Sequence, residues 1–439
     1  MRRQFMEQTI HFTYKVLSEQ QGCYFRIPFE VPEGISRLDV EYGYPRRKTI
    51  TEESTGKEYT AEINIIDLAL ENAAKGYLGS SGSDRSHLWI QEAGSSRGYA
   101  SVEPSPGAWN IILGACKVQP GGAEVNYTIH FTLKERQLFF GDTHMHTTGS
   151  DGALTCAQLA DYARYSKLDF MIVTDHNNYT QNAELPALEG ITAIPGMEWT
   201  HYKGHSGFWG LSRPIKNPFC INSRQEMQRI LEEAKNNGAV VVLNHPLCNH
   251  CGWKWGLEDI PYDLLEIWNG GNPPSILQKS IDWWQRLLCE GHHLRITGGS
   301  DFHGPESFHS IGLPTMGVYA DSNSASDLLK ALKNGSSYIV YGRKGPALYA
   351  EAAGHILGET APAGSEVKCR FTGLAAGDEL HTITDTQRYI EHCTRDGETI
   401  TLRRSAGKAL FMRFEVYRPS LTGYRNPVPC LVSNPIFFK

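Results

Sequence analysis

Between residues 137 and 303, one short apolar run after another ends in a histidine or a carboxylate, and this repetition restricts the fold more than any other feature. Strands are predicted at 137–144, 169–175, 191–199, 239–245, 263–268, 294–301 and 313–319, and helices at 155–166, 223–237, 275–290 and 324–334. Such alternation is the pattern of a parallel α/β architecture. Ser223 with Glu226, and Ser324 with Asp327, fit capping boxes at two helix starts. Asn236-Asn237-Gly238 and Asn334-Gly335 supply helix ends that tolerate left-handed backbone.

In barrel-like folds of this class the C-terminal strand ends converge on one mouth. His144 and His146 close the first strand and, at period two, point to the same side. Asp151 follows in a Ser-Asp-Gly loop, the second strand ends in Thr174-Asp175-His176, and the third in Gly196-Met197-Glu198. His205, Asn244-His245-Pro246 and Ser300-Asp301-Phe302-His303 complete the series. One such histidine reads as an ordinary hydrogen-bonding residue, and Asp151 alone as a stabiliser of its turn. A whole series at successive strand ends reads as metal ligands, and imidazole with carboxylate suits Mn, Fe or Zn. These groups are too many for one ion that must also hold water, so two to three divalent transition-metal ions are expected.

The flanks read differently. Residues 1–135 carry short strand-like runs, such as Tyr24–Phe29 and Trp109–Gly114, broken by Pro-Gly and Gly-Gly turns, which predicts a β-sandwich with a solvated insertion near 79–84. From 346 to 439 the helical signal fades and a small β-rich domain is expected around strands at 399–403 and 410–417. The α/β domain then spans 136–345, and three units suit a chain of 439 residues.

A net charge of −6 leaves no basic footprint, so nucleic acid is expected only as a short nucleotide substrate. No apolar stretch suits a membrane span or follows Arg2-Arg3 as a secretory leader would require, and no membrane partner is expected. The ten cysteines are scattered and do not form a disulfide framework, which favours cytoplasmic residence. Cys248-x-x-Cys251 resembles half a zinc ribbon without its second pair. With Trp253 and Trp255 beside it, the segment reads instead as a loop lining substrate next to His245. Trp283 and Trp284 read as helix packing.

The series His144-x-His146-x4-Asp151-Gly152, Thr174-Asp175-His176, Gly196-x-Glu198, Gly204-His205, Asn244-His245-Pro246 and Ser300-Asp301-x-His303 resembles the polymerase and histidinol phosphatase (PHP) superfamily over about residues 137–345. Within it the chain looks most like carbaryl-esterase-like metallohydrolases, whose β-rich N-terminal domain often carries a run like Pro106-Gly107-Ala108-Trp109. The resemblance implies a distorted seven-stranded (β/α) barrel with a trinuclear centre. It implies that His144, His146, Glu198 and Asp301 hold one ion, and that Glu198 bridges to a second shared with His205 and His245. Asp151, His176 and His303 would hold the third. His201 is near enough in sequence to compete with His205, but the Gly-His pair favours His205.

A metal-dependent hydrolase follows, with Glu198 central to catalysis through its bridge. Three divalent ions outweigh three carboxylates, and a cationic site favours a small phosphorylated substrate, a mono- or diester. Lys203, Arg213, Lys254 and Arg343 are candidates to clamp its oxygens, although most such residues are merely solvated. His309 is a candidate general acid or substrate contact, and equally a solvated loop residue. Glu266 and Asp175 are candidates to orient metal-bound histidines. The alternatives are hydrolysis of a carboxyl ester, carbamate or amide and, in another class, a catalytically silent metal-containing binding protein.

Overall fold

Alternation of apolar and polar side chains, as along Ala123–Leu133, buries one face of each N-terminal strand and leaves the other in water. The structure, a computed structural model, describes residues 7–439 except 186–187, 189, 212–214, 216–219, 307–308 and 420–427. It divides into two units, Met1–Glu135 and Arg136–Lys439. In the first, one antiparallel sheet runs Glu7–Val16, Ala123–Leu133, Ile35–Gly43, His87–Gln91 and Gly94–Ser95 in spatial order. The other runs Tyr24–Val31, Gly107–Lys117, Ile65–Asn72 and Gly76–Ser81. Val40, Val125 and Tyr127 from one sheet share a core with Phe29, Leu68 and Trp109 from the other, which makes a sandwich. Of the expected solvated insertion at 79–84, residues 79–81 belong to the strand Gly76–Ser81, and the remaining short turn at 82–84 faces water. The solvated excursion is the hairpin Arg47–Thr51/Glu58–Glu62.

The second unit begins with β1 (Gln137–Asp142), α1 (Cys156–Tyr165), β2 (Phe170–Val173), β3 (Thr192–His201) and β4 (Gly204–Trp209). Next come α2 (Arg224–Asn236), β5 (Val240–Asn244), β6 (Leu264–Asn269), α3 (Pro274–Cys289) and β7 (Arg295–Gly299). Then follow β8 (Thr315–Ala320), α4 (Ala325–Asn334) and β9 (Ser337–Val340). Their order in the sheet is β7-β6-β5-β4-β3-β2-β1-β8-β9. The pairs β1/β2, β2/β3, β5/β6 and β6/β7 are parallel, whereas β4 runs against both neighbours and β8 against β1. Beyond β1 and β7 the chain closes on itself: Asp301 N donates to His144 O at 2.8 Å and His146 N to Phe302 O at 2.9 Å. The sheet is therefore curled, around a core that includes Ile172, Ile194, Val242, Leu265, Ile296 and Met316.

The fold is mixed α/β, but a regular (β/α)7 repeat is not what the described residues form. They contain four α-helices, because a hairpin such as β3–β4 needs no crossover helix. Ser223 and Glu226 make the expected capping box. Ser324 caps α4, while Asp327 turns to Ser322 Oγ at 2.6 Å. Residues 346–439 do not separate at 345. β9 pairs with Pro429–Ser433, which pairs with Phe411–Tyr417, so the curled sheet continues into the C-terminal strands. Asn434 completes the edge of β7: its Oδ1 accepts from Ile296 N at 2.8 Å and its Nδ2 donates to Ile296 O at 3.0 Å. No helix among the described residues is long and apolar enough to cross a membrane.

Candidate metal centre

Each parallel strand hands its terminal polar residues to the same end of the sheet, and Glu198, fully buried on β3, is their meeting point. Glu198 Oε1 lies 3.3 Å from His144 Nε2, 3.2 Å from His205 Nδ1 and 3.2 Å from His245 Nε2. The same oxygen accepts from Asn244 Nδ2 at 2.8 Å. Glu198 Oε2 is 2.9 Å from His176 Nδ1 and 3.7 Å from His146 Nε2. Asp301 Oδ1 faces His146 Nε2 at 3.0 Å and His144 Nε2 at 3.3 Å. Asp151, more exposed, sits 3.4 Å from His303 Nε2 and 3.7 Å from His176 Nε2.

All nine expected ligands thus lie in one cluster. Three of its groupings, each with ligand atoms within 4.8 Å of one another, are His144/His146/Asp301, His176/Glu198/His205 and His146/Asp151/His176/His303. A fourth, His205/His245/Cys251, includes a sulfur that is not among the expected ligands. His201 stays outside, its Nε2 on Ile221 O at 3.2 Å and its ring 5.0 Å from that of Trp255.

The cluster is built under backbone strain. His245 and Asp301 adopt left-handed φ values of 30° and 54°, which side chains with a Cβ rarely take. At Gly299 an added Cβ would stand 2.3 Å from His144 Cβ, so only glycine lets β7 pass this close to the ligand.

Partners of the other ring nitrogens set the imidazole tautomers. His144 Nδ1 donates to Glu266 Oε1 at 2.9 Å, which leaves Nε2 toward Glu198 and Asp301. Glu266 also accepts from His245 N at 2.9 Å, so one buried carboxylate fixes two of the expected ligands. His303 Nδ1 donates to Asp301 O at 2.8 Å, and His176 Nδ1 pairs with Thr200 Oγ1 at 2.6 Å. Asp175 touches none of the ligand rings through its hydrogen bonds. It accepts from Thr147 N and Oγ1, both at 2.6 Å, and from Ser150 Oγ at 2.8 Å, and so holds the loop that carries Asp151.

Whether the cluster suits cations can be judged from its own polar atoms. His144 Nε2, His146 Nδ1 and Glu198 Oε2 are buried without a hydrogen-bond partner. Orphaned buried polar atoms are costly, and coordination would satisfy all three within this one cluster. Charge points the same way. Burial disfavours the charged forms of His144 and His245. The neighbouring groups, Glu266, Asp301 and Glu198 around His144, and Cys251 with Glu198 and Glu266 around His245, outweigh it and hold both well above the usual histidine range. Burial likewise opposes the carboxylates, yet the surrounding imidazoles keep Glu198 and Asp301 well below theirs. The carboxylates therefore call for positive charge, and the donor set fits divalent Mn, Fe or Zn.

Around this centre the predicted substrate contacts scatter. Lys203 is exposed with Nζ 4.6 Å above the Trp255 ring. Lys254 is exposed, and only its backbone N is fixed, on Lys203 O at 2.7 Å. Arg343 stacks 3.9 Å over Phe140 and donates to Lys167 O, before β2, whereas His176 follows β2. Arg343 is therefore not brought to the cluster. Arg213 lies outside the described residues. His309 is at the rim, its ring 5.7 Å from His303 and its Nδ1 on the Asp301 carbonyl. A cavity of about 570 Å³ opens beside His205, lined also by Asn177, Thr200, Tyr202, Asn222 and Cys251.

Sequence reasoning missed Asp142, Thr200, Asn244 and Asn269, whose Nδ2 donates to Asp301 Oδ2 at 3.2 Å. Asp142 is fully buried, and burial raises its pKa. It accepts from Ser300 N at 3.0 Å and Gly312 N at 2.8 Å, tying β1 to the Asp301 loop. Its signal was its place two residues before His144.

The fold and site together describe a curled α/β sheet with a multi-ligand cation cradle at its C-terminal mouth. Similar solved structures include a two-domain protein from Bacteroides vulgatus containing a predicted PHP-like metal-dependent phosphoesterase, at 18% identity and TM-score 0.40. That match covers 69% of this chain and 95% of the other. An amidohydrolase from Chromobacterium violaceum is similar at 17% identity and TM-score 0.31, over 39% of this chain and 89% of the other. No family model matches the sequence, nor does any curated protein. These likenesses are distant, and the site's own residues carry the chemistry.

Proposed function

We propose that this chain is a metal-dependent hydrolase with a centre of two to three divalent ions, acting first on small phosphoesters. The observation that carries this is Glu198: one fully buried carboxylate faces nitrogens of His144, His176, His205 and His245 at 2.9–3.3 Å. Four imidazoles around one buried carboxylate suit a group shared between cations. His144, His146 and Asp301 would hold one ion with Glu198, His205 and His245 a second, and Asp151, His176 and His303 a third. When bound, such ions supply Lewis acidity for activating water and polarising the scissile bond.

The chain's own groups do the rest. Glu266 holds the proton on His144 Nδ1 and keeps Nε2 directed inward, while Thr200 and the Asp301 carbonyl orient His176 and His303. His309 would contact substrate or pass a proton to the leaving group at the His303 side. Phosphate is preferred because three carboxylates do not neutralise three divalent ions. One observation favours the second substrate class, a carboxyl ester, carbamate or amide: the described residues lining the cavity include no Lys or Arg. Protein purified without chelator and loaded with Mn, Fe or Zn should hydrolyse a phosphomonoester or phosphodiester faster than a carboxyl ester. The reverse order would establish the second class, and a protein that binds none of these metals would overturn the proposal.

A further inference from the structure

His245 presents its two nitrogens to different partners. Nε2 faces Glu198 Oε1 at 3.2 Å, and Nδ1 is 3.5 Å from Cys251 Sγ. A neutral imidazole that offers Nε2 to a cation carries its proton on Nδ1, so this N–H donates to the sulfur. Cys251 thus holds for His245 the place that Glu266 holds for His144. Cys251 is not alone: Cys248 Sγ lies 3.2 Å from Cys251 Sγ, across the turn in which Cys248 N donates to His245 O at 2.9 Å and Gly252 N to Cys248 O at 3.1 Å. Cys251 also lines the cavity beside His205, so small reagents reach it.

We propose that Cys248 and Cys251 form a thiol pair that sets the metal affinity of the position shared by His205 and His245, with Cys251 as a positioning residue acting through His245. This rests on the metal-centre proposal above. In the reduced state the sulfur fixes the His245 ring. On oxidation by a small-molecule disulfide, the two thiols are converted to one S–S bond. The two electrons and two protons pass to the reagent, which leaves as two thiols. A disulfide is about 2.05 Å long, so closing the 3.2 Å gap draws the sulfurs together, away from their present positions. The His245 ring then loses the contact that orients it, and loss of such an outer partner costs about 10–100-fold in metal affinity.

The test uses the full chain stripped of metal and titrated with Zn or Mn against a chromophoric chelator, after dithiothreitol or after oxidised glutathione. Mass spectrometry reports whether the pair has closed. The oxidised protein should lose at least about tenfold in affinity for one ion per chain, and dithiothreitol should restore it. Cys248→Ser cannot close the bond, so it should bind like the reduced protein and, in the fraction that mass spectrometry shows free of a glutathione adduct on Cys251, keep that affinity under the oxidant. Cys251→Ser keeps an acceptor on His245 and should stay within a few-fold, whereas Cys251→Ala should fall about tenfold. A closed disulfide with unchanged affinity would overturn the inference, as would a pair that stays open under the oxidant or a Cys251→Ala that binds normally. If the reduced protein binds no metal, the metal-centre proposal itself fails and takes this one with it.

Discussion

Replacing Glu198 by Gln keeps the size of the side chain but removes the charge that four imidazoles face. As the ligand we propose it to be, rather than a support, its loss should lower metal affinity and turnover both by more than about 100-fold, the upper end for residues that merely orient ligands. Chelator competition and steady-state assays read the two losses separately. Glu266→Gln is the milder change: one oxygen still accepts from His144 while an amide now confronts His245 N, and an affinity loss of about 10–100-fold is expected. Normal metal affinity in Glu266→Gln would remove it from the set of positioning residues. Most of the clustered residues were legible in the sequence because they end apolar runs, while Asp151 and His205 stood out only within the motif series. The contacts of Thr200 with His176, Asn244 with Glu198 and Cys251 with His245 were not legible, since a neutral side chain or a thiol gains such a partner only from what folding sets beside it. Lys254 and Arg343 show the converse, because positive charge in a sequence does not say which end of a strand it will occupy.

Strand direction was the least legible property of the elements. Periodicity located β1, β2, β5, β6 and β7, but the hairpin turn at Tyr202-Lys203 that reverses β4 left no strong signal. Thr155 and Gln158 follow the same capping pattern as Ser223 and Glu226 and cap α1 likewise. The strand Phe411–Tyr417 carries a different test. Arg413 and Glu415 are both fully buried there and pair at 2.5 Å, with Gln285 from α3 accepting from Arg413 Nε at 2.7 Å. Burial would raise the Glu415 pKa, but Arg413 outweighs it and holds the carboxyl below its usual range. A lowered folded-state pKa stabilises the fold above the unfolded value of about 4.3 and ceases to do so as pH falls through the folded value. Urea midpoints should therefore drop on acidification below about pH 4.3, and Glu415→Gln should lack that part of the drop. At neutral pH the variant should be destabilised by about 3–5 kcal/mol, because Arg413 is left buried without its counter-charge. An unchanged midpoint would mean that Arg413 finds another partner.

At the scale of the molecule, the C-terminal segment belongs to the sheet that carries the centre. Tyr338 and Val340 of β9 share a core with Phe414 and Leu431. A chain ending at 345 would leave this apolar edge unpaired, a template for aggregation. The fragment 136–439 should stay monodisperse in gel filtration and bind metal like the full chain, whereas 136–345 should aggregate. A soluble, metal-binding 136–345 would show that the C-terminal strands are dispensable. The pattern of short strands after 346 was visible, but not that they add to an existing sheet, since pairing partners more than 80 residues apart leave no local trace. The Asn434 side chain gives this arrangement a consequence in time. It completes the hydrogen bonding of Ile296, on the strand that leads to Asp301 and His303, from 138 residues further along the chain. A ribosome takes on the order of 10 s to add that length. For most of that interval the nascent chain holds all nine clustered residues but not the clamp on their last strand, so that strand's edge is completed only once Asn434 has been made.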